Sequence, residues 1–128
     1  MSDRVAISTD QAPAAIGTYS QAIKMGGLLF ISGQIPLRPD GEMVSNDFTA
    51  EVTQILDNLA AIAARAGTEL DRAAKFTVFL TDLNDFAAVN EIMAARLSEP
   101  YAARAAIGVA ALPKGARVEI DAILGLGE

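Results

Sequence analysis

The stretch Ala103-Arg104-Ala105-Ala106-Ile107-Gly108-Val109-Ala110-Ala111-Leu112-Pro113-Lys114-Gly115-Ala116-Arg117-Val118-Glu119-Ile120-Asp121-Ala122-Ile123 governs the reading of the C-terminal part of the chain. It divides into two apolar runs around Leu112-Pro113-Lys114-Gly115, where Pro and Gly supply a reversal. The simplest expectation is a pair of strands joined by that turn, with residue 108 opposite residue 119. Arg104 then points from the same face as Glu119, about 13 Å along the partner strand at ~3.3 Å per residue. A long Arg side chain and a bulge could bring both groups around one small ligand. Arg104 has no acidic residue within three positions. Its planar fork suits a bidentate grip on a carboxylate, with a plain surface Arg as the competing reading. Glu119 alternates with Arg117 and Asp121, the pattern of a solvated strand face, but Ile123 ends that polar row in an apolar residue.

Toward the N-terminus, Asp47-Phe48-Thr49 opens the longest helical pattern. Val52, Ile55, Leu56, Leu59, Ile62, Ala63 and Ala66 recur at helical spacing, and Gly67 is a plausible stop. Lys75 to Leu80 reads as a strand. Asp82 or Asn84 would cap a second helix with Phe86, Val89, Ile92, Met93 and Leu97 as its apolar stripe, ended by Pro100. Near the start, Val5 to Ser8 is a short strand, and residues 10–19 are irregular around Pro13 and Gly17. Ala22 to Met25, Gly26-Gly27 and Leu28 to Ser32 form a hairpin, which Gly33-Gln34-Ile35-Pro36 breaks. The order βββ-α-β-α-ββ describes a single α+β domain over residues 1–128, a two-layer sandwich with two helices on one face of a mixed sheet. Leu28 to Ile31 and Ile120 to Leu124 are apolar at both parities, as in strands covered on both faces. Two helices cover only one face, so a second copy of the chain is expected on the other.

Composition narrows the chemistry. The 128 residues are 52% hydrophobic and 20% charged, a globular balance. No apolar run is long enough to span a bilayer, and Met1-Ser2-Asp3-Arg4 lacks a leader's apolar stretch, so a cytoplasmic protein without a membrane partner is expected. Cysteine and histidine are both absent. This removes thiolate nucleophiles, Ser-His-Asp arrangements and His- or Cys-ligated metals, and leaves acid–base work to Glu, Asp, Lys or Tyr. A net charge of −6 with scattered basic residues disfavours a general nucleic-acid binder.

Other candidates are weaker singly. Ser32-Gly33-Gln34 offers backbone that a ligand could approach, because Gly has no Cβ; a strand-ending turn competes. Tyr19 places a hydroxyl in a loop, or packs against the core. Asn84 reads as a cap, whereas Asn90 stands mid-helix, where Asn is a poor helix former and a polar contact across an interface gains weight. Asp40-Gly41-Glu42 is only a turn.

In order, these segments resemble the RidA family (YjgF-type reactive-intermediate imine deaminases). The residues that carry the resemblance are Ala12-Pro13-Ala14-Ala15-Ile16-Gly17-Thr18-Tyr19-Ser20-Gln21-Ala22, Ser32-Gly33-Gln34-Ile35-Pro36 and Leu56-Asp57-Asn58-Leu59. Lys75 to Asp82, Asp85 to Asn90, Ala103-Arg104-Ala105-Ala106 and Leu112 to Ile120 continue it across nearly the whole chain. The resemblance implies a chorismate-mutase-like subunit assembled as a homotrimer with clefts between subunits. It implies that Arg104 binds a substrate carboxylate, that Glu119 polarises the attacking water, and that Tyr19 enters the cleft from a neighbouring subunit. Backbone at Ser32-Gly33 and Ala105-Ala106 would line the pocket, with Asn90 beside it. Thr18 and Ala102 stand where many members have Pro, and Ala106 replaces a Cys found in some, so any contact from position 106 is through backbone.

The implied activity is hydrolysis of 2-iminopropanoate, 2-iminobutanoate or their enamines to 2-keto acids and ammonia. An iminium carbon is already electrophilic, so no metal, cofactor or covalent nucleophile is expected. The alternatives are a non-catalytic keto-acid-binding regulatory protein and a sibling deaminase acting on another enamine such as aminoacrylate. A ribonuclease reading, attached to relatives, has the −6 charge and the missing His against it.

Overall fold

Val52, Ile55, Leu56, Leu59, Ile62 and Ala63, the apolar stripe of the longest helical pattern, are all completely buried in helix α1 (Phe48–Arg65). Truncating one of the larger members to Ala would cost about 2–5 kcal/mol. Asp47 caps the helix, its Oδ1 accepting from the Ala50 N–H at 3.1 Å, and Gly67 at φ 85° closes it in the left-handed region. The computed structural model describes residues 3–127. Met1 and Ser2, part of the opening that lacks an apolar stretch, and Glu128, the end of the expected domain, lie outside the described residues.

The remaining elements are β1 (Val5–Ile7), β2 (Ala22–Met25), β3 (Leu28–Gln34), β4 (Ala73–Leu80), α2 (Phe86–Arg96), β5 (Ala103–Gly108) and β6 (Val118–Gly125). Three 3₁₀ turns, Leu70–Arg72, Leu83–Asp85 and Pro113–Gly115, join them. The expected α+β order holds: both helices pack on one mixed six-stranded sheet of order β1-β2-β3-β6-β4-β5. Asp82 caps the turn that leads into α2, its Oδ1 accepting from the Asn84 N–H at 2.9 Å. Only Val89 and Met93 of α2 are fully buried, so its apolar stripe is narrower than the sequence pattern.

Two local expectations need correcting. The strands β5 and β6 do not form a hairpin. β4 lies between them, parallel to β5 and antiparallel to β6. The connection from Val109 to Arg117 is long enough to cross one strand, two inter-strand spacings or about 9.5 Å. It is tied to the end of β4 by Val109 N–H to Leu80 O at 2.8 Å and Thr81 N–H to Arg117 O at 3.2 Å. Lys114 and Gly115 take φ of 58° and 72° there, in the left-handed region, so the short turn Pro113–Gly115 bends the crossing loop instead of pairing the two strands. Second, β3 does not stop at Ser32 but runs to Gln34 through a register shift between Ile31 and Gln34. That irregularity is a bulge centred on Ser32-Gly33, which re-aims the strand without ending it.

Alternation along the strands then assigns the two faces. Leu29, Ile31, Phe76, Val78, Leu80, Val118, Ile120, Ala122 and Leu124 are buried toward the helices. The opposite face carries Ile23, Phe30, Ile123, Phe79 and Ile107, with Phe30 42% and Ile107 44% exposed in the single chain. An apolar sheet face of this kind is unusual for a chain that stays alone in water. Among the described residues no helix is long and apolar enough to cross a membrane.

Candidate active site

Glu119 sits on β6 in the middle of the open sheet face, beside Phe79 of β4. Its carboxylate lies over the bulge of β3, directly against Gly33. A Cβ at that position would overlap Glu119 Oε2 and crowd its Cδ, so the absence of a side chain at Gly33 is what lets the carboxylate settle there. The position is half-buried, and this burial raises the Glu119 pKa above the ordinary carboxylate value. Repulsion from Asp121 on the same face adds to the shift.

Ser32 precedes Gly33 in the bulge and ties it to the loop that carries Tyr19. Its Oγ donates to Ser20 O at 2.6 Å, and its N–H donates to Gln21 O at 2.9 Å. Tyr19 is half-exposed, with its hydroxyl accepting from the Ile16 N–H at 3.3 Å. Tyr19, Ser32, Gly33 and Glu119 therefore share one cavity of about 570 Å³, together with Ile16 and Lys114.

Arg104 is elsewhere. It is next to Phe76 on β4 and shares that residue's helix-side face, whereas Glu119 is next to Phe79 on the other face. Three residues along β4 and two strand spacings across put them about 10 Å apart in one direction and about 9.5 Å in the other, with the sheet between. The two do not meet within one chain. Helix α2 grips the guanidinium from two positions one turn apart. Asn90 Oδ1 accepts from Arg104 Nη2 at 2.8 Å, and the Phe86 ring stacks with its centroid 5.1 Å from Cζ. This accounts for the mid-helix Asn. Arg104 borders two open cavities, one of about 260 Å³ with Asn90 and Tyr101, and one of about 490 Å³ with Leu83, Phe86 and Ala106.

Ala105 lies next to Thr77 on the open face, and Ala106 next to Val78 on the helix face. β5 is the last strand of the sheet. Because the Val109 N–H points to β4, strand alternation turns the N–H and C=O of Ala106 toward the free edge, where they can meet a ligand or a neighbour. The sequence-derived set thus separates into two half-sites: Tyr19, Ser32, Gly33 and Glu119 in one, Asn90, Arg104 and Ala106 in the other.

Phe86 and Gln21 were not singled out by the sequence. Phe86 stands four residues before Asn90, a spacing that places both on one helix face and could have marked it. Gln21 borders a strand start and carries no periodic signal. Among the described residues no group of three or more carboxylates could hold a metal ion.

The family described as endoribonuclease L-PSP matches residues 9–125. A RutC family protein of Sinorhizobium fredii is 54% identical over 121 residues, covering 94% of this chain and 96% of that one. A mouse protein named 2-iminobutanoate/2-iminopropanoate deaminase is 48% identical, covering 94% of this chain and 90% of its own length. The crystal structure of RidA from an Antarctic Psychrobacter superposes with a TM-score of 0.91 at 52% identity, covering 95% of this chain and 99% of that one. With the same fold, near-complete coverage and half of its residues shared, this chain belongs to the endoribonuclease L-PSP family, the YjgF/RidA proteins.

Proposed function

We propose that the chain is a deaminase that hydrolyses 2-iminopropanoate, 2-iminobutanoate and their enamine tautomers to 2-keto acids and ammonia, in a cleft completed by a second copy, within a homotrimer. The observation that carries this reading is the Glu119 carboxylate, seated against Gly33 and pushed by burial toward its protonated form. A carboxylate tuned upward exchanges protons with water and with a departing amine more readily than an ordinary one. The name of the mouse relative supports the same reaction class.

In this mechanism the guanidinium of Arg104, fixed by Asn90 and Phe86, holds the substrate carboxylate through the donors those two residues leave free. Ala106 on the free edge of β5 offers a backbone N–H to the same ligand. Glu119 of the adjoining copy takes a proton from water as its oxygen bonds to the imine carbon. The C=N bond becomes a C–N bond, giving a carbinolamine. Starting from the protonated imine, Glu119 then returns the proton to nitrogen and the C–N bond breaks. The hydroxyl passes its own proton to Glu119 as the carbonyl forms, and the departing ammonia takes that proton away as ammonium. Tyr19 forms the wall that shields this exchange from bulk water. Nothing in the sequence requires a cofactor, and the ligands of this cleft are small imino and keto acids.

The apolar open face supports assembly, because Phe30, Ile123, Phe79 and Ile107 are covered once copies associate. The separation of Arg104 from Glu119 by the sheet supports a shared cleft over a one-chain site. A coupled assay with freshly generated 2-iminopropanoate and 2-iminobutanoate tests the proposal. The parent protein should speed ammonia release, and Arg104→Ala should lose most of that acceleration. Release no faster than in protein-free buffer overturns it.

A further inference from the structure

We infer that Gln21 is a positioning residue for the pocket wall that carries Tyr19, and that its side-chain amide sets where that wall stands. The inference rests on the reading of Tyr19 as part of the cleft. Gln21 is 3% exposed, and its amide is spent entirely on the loop before Tyr19. Oε1 accepts from the Thr9 N–H at 2.7 Å, while Nε2 donates to Thr9 O at 3.0 Å and Pro13 O at 2.8 Å. One side chain thus pairs with Thr9 as a neighbouring strand would, and also ties down the chain at Pro13.

The wall needs this tie because beyond Ala12, which is buried in the core, packing does not fix it. Open space lies on both sides: about 570 Å³ toward Glu119 and about 490 Å³ behind. Ala14, Ala15, Tyr19 and Gln21 border both cavities. Ala14 and Ala15 have little surface to pack, and Ile16 is 82% exposed. A segment without close-packed neighbours gains little dispersion energy from any one position. Its placement falls to hydrogen bonds: those of the Gln21 amide, the two from Ser32 to Ser20 O at 2.6 Å and to Gln21 O at 2.9 Å, and the bond of the Tyr19 hydroxyl with the Ile16 N–H at 3.3 Å.

Removing the amide should leave the wall sampling open positions. A ligand that needs the closed wall then binds in proportion to the closed fraction, so KM rises while kcat, set in the closed complex, is kept. Loss of a catalytic group would lower kcat instead. A purely structural role would reduce the yield of folded protein and leave KM of the remainder unchanged.

The test uses Gln21→Met, similar in length but without the amide, assayed with 2-iminobutanoate. KM should rise about tenfold with kcat within about twofold of the parent. A second readout needs no substrate. The chain has two Tyr and no Trp, so in a Tyr101→Phe background Tyr19 is the sole tyrosine and can be excited apart from the weakly emitting Phe residues. Adding Gln21→Met should lower the Tyr19 fluorescence anisotropy. In Gln21→Glu an ionised carboxylate would face Thr9 O and Pro13 O, so anisotropy should be low at pH 8. It should climb toward the parent value as acid restores one donor. Where Gln21→Met does not fold, Gln21→Glu carries both readouts. Unchanged KM and anisotropy in a folded variant, a kcat loss at constant KM, or failure of both variants to fold overturns the inference. If the parent shows no imine turnover, the proposed function fails and the anisotropy measurements still decide the role of Gln21.

Discussion

The carboxylate of Glu119 rests on the bare Cα of Gly33, in space that a single added methyl group would occupy. The neighbour is the tip of a flexible side chain, so Gly33→Ala should be accommodated by swinging Glu119 away. Stability should change by about 1 kcal/mol or less. Turnover should fall far more, because displacing a reacting group by about 1 Å can cost about 100-fold. Steady-state kinetics on 2-iminobutanoate beside thermal unfolding checks this; parallel losses in both would show that the contact is only structural.

The raised pKa of Glu119 sets a direction for pH effects on both stability and rate. Its protonated form is favoured by the fold, so its contribution to stability is complete below the ordinary carboxylate pKa. That contribution is lost as pH rises through the raised folded value. Glu119→Gln has no such loss. The difference in Tm, variant minus parent, should therefore be near its minimum at pH 4 and grow toward pH 8. Turnover should move the opposite way. Glu119 must be ionised to accept a proton, so parent kcat should rise with pH through the same raised value, while Glu119→Gln loses about 100-fold or more. A Tm difference that shrinks with pH would contradict the assigned shift.

Away from the cleft, Glu51 is a buried carboxylate that receives two hydrogen bonds from Arg117, at 2.6 and 3.2 Å. The Glu51 side chain is 3% exposed and that of Arg117 45%, so water screens the cation but not the anion. Arg117→Met should leave a buried charge without its donors. After discounting for the exposed Arg, the cost should be about 2 kcal/mol. Glu51→Met combined with Arg117→Met should recover most of it, since no uncompensated charge remains. Denaturant unfolding at one fixed protein concentration separates the two, and equal destabilisation of single and double variants would argue against the pairing.

The sequence made the layers legible and left the strand order hidden. Helical spacing from Val52 to Ala63 and both-parity apolar strands were enough to predict helices on one sheet face and an uncovered opposite face. Pairing order is a long-range property, and the local turn chemistry of Pro113-Lys114-Gly115 pointed to the wrong neighbour. Lys114 at φ 58° shapes a loop that crosses the end of β4, and no residue within the loop records that crossing. The same turn reading allowed Arg104 and Glu119 to meet within one chain, which the intervening β4 rules out. Phe86, which stacks on Arg104, was read only as part of the α2 apolar stripe, where it is 38% exposed. Residues that act through a neighbour carry little signature of their own.

The sheet that separates Arg104 from Glu119 leads to a quantitative test of the shared cleft. If each cleft takes Arg104 from one copy and Glu119 from the next, Arg104→Ala and Glu119→Gln proteins are each nearly inactive alone. Unfolded together and refolded as an equimolar mixture, they form mixed assemblies. A cleft is intact only when its Arg104 comes from the Glu119→Gln chain and its Glu119 from the Arg104→Ala chain. With random assortment around a head-to-tail ring this occurs at about one cleft in four. Ammonia release from 2-iminobutanoate should then recover to about a quarter of the parent rate, whereas mixing without unfolding should recover little. A one-chain site predicts no recovery under either protocol, because every copy carries a damaged half.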